Sequence, residues 1–307
     1  MRFSLVMCTV GRRDEIGGFI ESLLRQNRQD YELIIVDQNA DRRLDEVIAR
    51  YADHCQIRHI RSDAHGASRA RNVGLNHATG EIVCFPDDDC EYLDRYLDYV
   101  DALFASDPQL GAIAGYLTAD PKLKLAANFR AGGVAVTKMT VPHQSQEFTI
   151  CIRRSAAPSV RFNPLLGVGC GTPWGSDEGP DFLLRIMNAG VKVEYYPQLV
   201  VYHPDKTGRI TAATLDRAAS YARGRGCFYR LHNYPLRVVA RSMVRPLIGC
   251  ALYLVLLQWM RSRYYWAVVS GLCGGMLIDK AELARVAEHG NSVLSDNVPI
   301  GGVHAHV

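Results

Sequence analysis

Three consecutive carboxylates, Asp87-Asp88-Asp89, follow Phe85-Pro86 at the end of an apolar run. In an extended segment alternate side chains point the same way, so Asp87 and Asp89 can serve one hard cation. Mg²⁺ or Mn²⁺ takes few carboxylates and completes its shell with phosphate oxygens and water, which suits a nucleotide-diphosphate site. The same triplet also reads as an acidic turn capping the helix marked by Leu93, Tyr96, Leu97 and Val100. A second acidic cluster is Trp174-Gly175-Ser176-Asp177-Glu178-Gly179-Pro180-Asp181, approached through Gly167, Gly169 and Gly171. Acids are favoured at a helix N-terminus for electrostatic reasons alone, but an aromatic beside two adjacent acids is also how a general base is placed over an acceptor sugar. Asp37, after Leu33-Ile34-Ile35-Val36, can accept hydrogen bonds from a ribose or a base edge, or act as a helix cap. Arg71 and Asn72 lie just beyond a Gly-containing loop, with Ser68 as a simple N-cap the plainer reading. His203 ends an apolar run and joins this chemistry only if the fold carries it to the Asp triplet.

The elements that must position these residues are legible from hydrophobic period. Phe3 to Thr9 reads as a buried strand, and Ile16, Phe19, Ile20, Leu23 and Leu24 follow the spacing of one helix face. Strands are expected at Tyr31 to Asp37, Ile57 to Ile60 and Glu81 to Phe85, with helices marked by Leu44, Val47, Ile48 and Tyr51 and by Ser68 to Ala78. The alternation predicts an α/β fold with a mostly parallel sheet and helices on its faces. Ligands bind such sheets at the carboxyl ends of the strands, which selects Thr9 to Arg13, Asp37 to Asp41, Ser62 to Ser68 and Asp87 to Cys90. Further on, a helix is expected from Asp181 to Ala189 with Gly190 as its stop, then strands at Val191 to Tyr196 and Leu199 to His203.

With 307 residues, 48% of them hydrophobic and 22% charged, the chain can build a large core, which excludes wholesale disorder, a collagen-like repeat or a coiled coil. Nine scattered cysteines without a C-x-x-C pair fit a reduced, cytosolic compartment. The net charge of +3 conceals a strong asymmetry: Lys206 to Arg263 holds eleven Lys/Arg against one acid, leaving 24 basic and 31 acidic residues elsewhere. A polyanionic partner is expected for that segment. The opening residues read as a strand, with no secretory signal.

Taken in order, Phe3 to Thr9, Leu33 to Asp37, Gly66-Ala67-Ser68-Arg69-Ala70-Arg71-Asn72-Val73-Gly74, Ala78 to Phe85 with Asp87-Asp88-Asp89, and Asp177-Glu178 before a helix then His203 resemble the family 2 glycosyltransferases with the GT-A fold. The resemblance covers residues 1 to about 205. It implies a Rossmann-like central sheet and an inverting transferase that uses a nucleotide-diphosphate sugar with Mg²⁺ or Mn²⁺. It implies Thr9, Asp37, Arg71, Asp87 and Asp88 on the nucleotide sugar, and Asp87, Asp89 and His203 on the metal. Trp174 then falls on the acceptor side, and the acidic pair supplies the base, with Glu178 favoured over Asp177. Two departures stand out. Asp37-Gln38-Asn39-Ala40 replaces the usual Asp-Gly-Ser or Asp-Asn-Ser, and the usual Glu-Asp pair stands reversed as Asp177-Glu178. The Q-x-x-R-W signature of polymerising members is absent, which points to addition of one sugar. The rivals are a sugar-nucleotide nucleotidyltransferase, which lacks here its glycine-rich phosphate loop after the first strand, and a non-catalytic membrane-bound nucleotide-sugar-binding protein.

Beyond a glycosyltransferase domain at 1–220, residues 221–285 read as a basic and apolar helical region and 286–307 as a flexible tail. Arg237, Arg241 and Arg245 share one helical face, with Leu236, Val239, Ala240 and Met243 on the other. The apolar stretches Leu247 to Leu257 and Tyr264 to Ile278 are each shorter than the ~20 residues that span a bilayer. A buried helical hairpin is one reading. Arginines beside Trp259, Tyr264, Tyr265 and Trp266 point to another, monotopic attachment through 236–278 to the cytoplasmic face of the inner (plasma) membrane, with a lipid-linked saccharide as acceptor and no nucleic acid.

Overall fold

The computed structural model describes residues 1–120, 122, 132–204 and 208–292. Its first part alternates β1 (Phe3–Thr9), α1 (Asp14–Leu24), β2 (Tyr31–Asp37), α2 (Asp45–Tyr51), β3 (Ile57–Arg61), α3 (Ala67–His77) and β4 (Ile82–Cys84). Then come β5 (Glu91–Tyr92), α4 (Tyr96–Ser106), β6 (Leu110–Thr118), β7 (Val134–Ala135), α5 (Val141–Gln144), a 3-10 turn (Glu147–Thr149) and β8 (Cys151–Arg153). The chain continues through α6 (Glu178–Asn188), β9 (Lys192–Tyr202), α7 (Ala212–Leu231), α8 (Leu236–Val255), α9 (Trp259–Met276) and α10 (Lys280–Ser292).

One sheet runs in the order β3-β2-β1-β4-β8-β6-β9-β5, with β7 on β9. The expected parallel sheet holds for β3, β2, β1 and β4. Past β4 it is mixed, because β8 enters antiparallel between β4 and β6. The period-2 pattern sorts side chains onto two cores. Phe3, Leu5, Met7, Leu33 and Ile35 face α1, α2 and α4, while Val6, Ile34 and Val36 face α3, α6 and α7. The two strands expected at 191–203 are one, β9, whose register against β6 shifts between Ala114 and Tyr116.

The domain limits differ from expectation. The boundary at 220/221 falls inside α7, whose Ala222, Phe228 and Tyr229 belong to the core beneath the sheet. The loss of acids there marks a change of surface, not of fold. Residues 286–292, expected to begin a tail, are the end of α10, with Val286 fully buried; 293–307 lie outside the described residues, as does Lys206. The arginine helix and the first apolar run also merge, through Pro246, into the 20-residue α8, long and apolar enough to cross a membrane by length and composition. Helix α9 packs along α7 at backbone distance: a Cβ on Gly275 would meet the Arg223 carbonyl oxygen at 2.2 Å, and one on Gly271 the Ala219 carbonyl oxygen at 2.4 Å. Helix α8 buries only Val239 and Gly249.

Candidate active site

Parallel pairing aligns the ends of β1 and β2, Thr9 opposite Asp37, and a further bridge sets Asp87 beside Cys8. The Asp triplet therefore emerges at the carboxyl edge of the sheet, where the alternation placed it. The three side chains then diverge. Asp88 turns inward, accepting from the Thr9 hydroxyl at 2.6 Å and from Arg12 at 2.5 Å. Burial pushes its carboxyl up to about 6 against the pull of those two partners. Asp87 and Asp89 form a cluster with His203 in which one ligand atom from each lies within 4.8 Å of the others. His203 arrives there because β5 pairs with β9, Glu91 opposite Tyr202. Its ring stacks on Phe148, and its Nε2 lies 3.1 Å from Asp89 Oδ1. That bond holds the imidazole above its ordinary value. Two carboxylates and an imidazole are a donor set that fits a divalent cation, with Arg12 on the far oxygen of Asp89 at 2.6 Å.

Arg71 connects this cluster to the second acidic segment. It is 3% exposed, lies over the Phe162 ring, and donates to Asp87 at 3.0 Å and to Glu178 at 3.3 Å. Helix α3 is seated for this by its first loop. Gly66, at φ +104°, packs so closely on the 167–171 loop that a Cβ would meet the Cys170 Cα at 2.9 Å. Ser68 is not the cap expected of it, since its hydroxyl donates to the Leu166 carbonyl at 2.6 Å. Glu178 opens α6 and is buried; burial raises its carboxyl, opposed by Arg71. Gly167 leaves room for it, since a Cβ there would meet the Glu178 carboxyl carbon at 2.7 Å. The adjacent cleft, about 230 Å³, runs along Gly167 to Thr172 and is closed by Arg217, Ser220 and Tyr221 of α7.

Other expected residues sit differently. Asp177 has a left-handed backbone, φ +69°, and its side chain is taken by Ser176 at 2.6 Å and Arg225 at 2.5 Å. Asp37 is 1% exposed; burial alone would raise it, but bonds from His59 and from the Asn39 amide and side chain outweigh that and lower it. Trp174 is buried in a small core with Cys227, Ile278 and Val286, and its indole N–H reaches Glu282 at 3.3 Å, which puts it under α10 and not along the cleft. The unusual Gln38 and Asn39 tie neighbouring loops together: Gln38 accepts from the Gly66 amide at 2.8 Å and Asn39 from the Gly11 amide at 2.6 Å. One charged residue of the site had no sequence signal beyond its type: Glu147, which accepts from the Gly179 amide at 2.8 Å.

A glucosyl-dolichyl phosphate glucuronosyltransferase of Haloferax volcanii is 26% identical over 123 residues, 39% of each chain. An uncharacterised glycosyltransferase of Haemophilus influenzae is 27% identical over 111 residues, 36% of this chain and 37% of its own. The matched stretch thus spans under two fifths of these relatives. Among solved structures, the Pyrobaculum calidifontis mannosyltransferase PcManGT in complex with GDP-Man and Mn²⁺ superposes with a TM-score of 0.56 at 16% identity, covering 96% of this chain and 81% of that one. The S. aureus TarS fragment 1-349 in complex with UDP-GlcNAc gives 0.55 at 15%, covering 89% and 90%. At such identities the likeness is one of fold, the GT-A fold. The model of glycosyl transferase family 2 matches residues 4–157, half of the chain, over the segments that carry Thr9, Asp37, Arg71 and the Asp triplet, and the chain belongs to that family.

Proposed function

We propose that the protein is a metal-dependent, inverting glycosyltransferase that moves one sugar from a nucleotide-diphosphate sugar to a lipid-linked saccharide at the cytoplasmic face of a membrane. The observation that carries this reading is the buried Arg71, which bridges the part-exposed Asp87 of the cation cluster to the buried Glu178 beside the cleft. Glu178 takes the proton of the acceptor hydroxyl as that oxygen attacks the anomeric carbon, and the bond to the diphosphate breaks on the opposite face. A guanidinium this deeply buried exerts its charge with little screening, so Arg71 both favours the ionised form of Glu178 and stabilises the negative charge growing on the leaving group. Mg²⁺ or Mn²⁺ held by Asp87, Asp89 and His203 would offset that same charge. The Mn²⁺ and GDP-Man of PcManGT and the UDP-GlcNAc of TarS support this choice of donor class.

The lipid-linked acceptor is supported by the dolichyl phosphate substrate named for the Haloferax relative and by the surface of α8. Ile248 and Val255 of α8, with Leu257 in the turn after it and Trp259 at the start of α9, are each at least 60% exposed, and Arg237, Arg241 and Arg245 precede them along α8. Apolar surface bordered by arginine is the composition of an interfacial anchor. The test is to incubate purified protein with UDP-, GDP- and dTDP-sugars and Mn²⁺. One nucleotide class should be hydrolysed, and EDTA should stop the reaction. Hydrolysis untouched by EDTA would overturn the metal dependence, and no hydrolysis of any donor would overturn the transferase reading.

A further inference from the structure

The sequence pairs Asp177 with Glu178 as adjacent acids, but the fold separates them. Asp177 is turned to Ser176 and Arg225, and the second carboxyl beside Glu178 comes from thirty-one residues upstream, from Glu147 in the 3-10 turn before β8. Its Oε1 accepts the amide of Gly179 at 2.8 Å. A Cβ built on Gly179 would meet that Oε1 at 2.5 Å, and the Glu147 Cδ and Cγ at 2.7 Å each. The Glu147 side chain thus fills the volume that a side chain at position 179 would occupy, and the absence of one there is what admits it.

We propose that Glu147 is the second carboxyl of the catalytic pair, a positioning residue that stands in for a side chain at 179 and fixes Glu178 for proton abstraction; this rests on the transferase reading above. The first amides of a helix have no partner within it. By taking that of Gly179, Glu147 pins the peptide that follows Glu178, so the turn leaving the left-handed Asp177 has one arrangement. The charged groups around it are Glu178, Arg71 and Asp87. Burial first, and then the charge of Glu178, push Glu147 up to about 8. Burial raises Glu178 as well, with Arg71 opposing that shift. In the transfer step the proton goes from the acceptor hydroxyl to Glu178, the new C–O bond forms, and the electron pair of the broken bond leaves with the diphosphate. Glu147 exchanges nothing and sets only the geometry.

The test uses full-length protein with UDP-glucose, UDP-GlcNAc and GDP-Man in Mn²⁺. Whether the wild type turns over any of these donors judges the transferase reading; ratios among variants, and melting temperatures without any donor, judge this one. Glu147→Ala should lose about 100-fold in kcat, the scale of a small misplacement of a catalytic group, with donor KM unchanged. Glu147→Gln keeps an acceptor oxygen for the Gly179 amide and should stay close to wild type. Without donor, Gly179→Ala alone should lower the melting temperature, and adding Glu147→Ala should restore it. The proposal is overturned if Glu147→Ala keeps wild-type kcat, if Glu147→Gln loses as much kcat as Glu147→Ala, or if Gly179→Ala melts like wild type.

Discussion

At the scale of single residues, the site divides its acids by what each one touches. Asp89 meets His203 with one oxygen and Arg12 with the other. Asp89→Asn should therefore abolish turnover and weaken UDP binding in Mn²⁺ while leaving metal-free UDP binding unchanged, as titration calorimetry with and without EDTA would read. Glu178→Gln should keep donor affinity and lose at least ~100-fold in kcat, the scale of general-base catalysis. Asp177→Asn should act mainly on stability, since it leaves the partly buried Arg225 guanidinium without its countercharge. The reverse ranking in kcat would make Asp177 the base. Glu147 also carries a pH signature. Its carboxyl rises from an ordinary 4.5 to about 8 in the fold, so between those values the folded state holds more protons than the unfolded one. Its contribution to stability is then full below about 4.5 and lost as pH rises through about 8. Melting curves of wild type and Glu147→Gln across that window should show the wild type losing more stability toward alkaline pH.

At the scale of elements, the loops around the carboxyl edge are tied to one another. Gln38 binds the loop before α3, Asn39 binds the loop after β1, and the α3 entry interlocks with the glycine loop through the Ala67 amide on the Val168 carbonyl at 3.0 Å. These contacts give the departure from the usual Asp-Gly-Ser a structural job. The helices α7 and α9 show the same economy, because glycines let their backbones touch. Gly275→Ala would press a methyl against the Arg223 carbonyl and the Cys227 amide. It should cost about 1–3 kcal/mol, the scale of overpacking, read as a lower denaturation midpoint with the folded far-UV spectrum unchanged.

At the scale of the whole molecule, the C-terminal helices are not an appendage that can be removed. Trp174, which leads into the second acidic cluster, packs on Ile278 and Val286, and Asn163 donates to the Val286 carbonyl at 2.8 Å. Truncation after α7 would strip this support from the site, so attachment is better tested on the surface. Replacing Ile248, Val255, Leu257 and Trp259 by polar residues should move full-length protein from the membrane to the soluble fraction without lowering its melting temperature. The wild type should be released by detergent and only partly by high salt, since salt screens the arginines but not the apolar side chains. Wild-type protein found soluble and monomeric without detergent would overturn the attachment.

The sequence by itself determined the N-terminal α/β alternation and the sites after β1, β2 and β4. All of these follow from period and from neighbours within a few residues, which backbone geometry alone decides. It also marked Arg71, Glu178 and His203 as candidates, but not that one guanidinium would join two of the acids. That, the turning away of Asp177, the burial of Trp174 under α10, and the arrival of Glu147 at Gly179 were decided by tertiary structure. Each depends on contacts between segments tens of residues apart, and on β8 entering the sheet antiparallel from a stretch with no regular period. Side-chain type says which chemistry is available; which carboxyl meets which cation depends on where distant backbones come to rest.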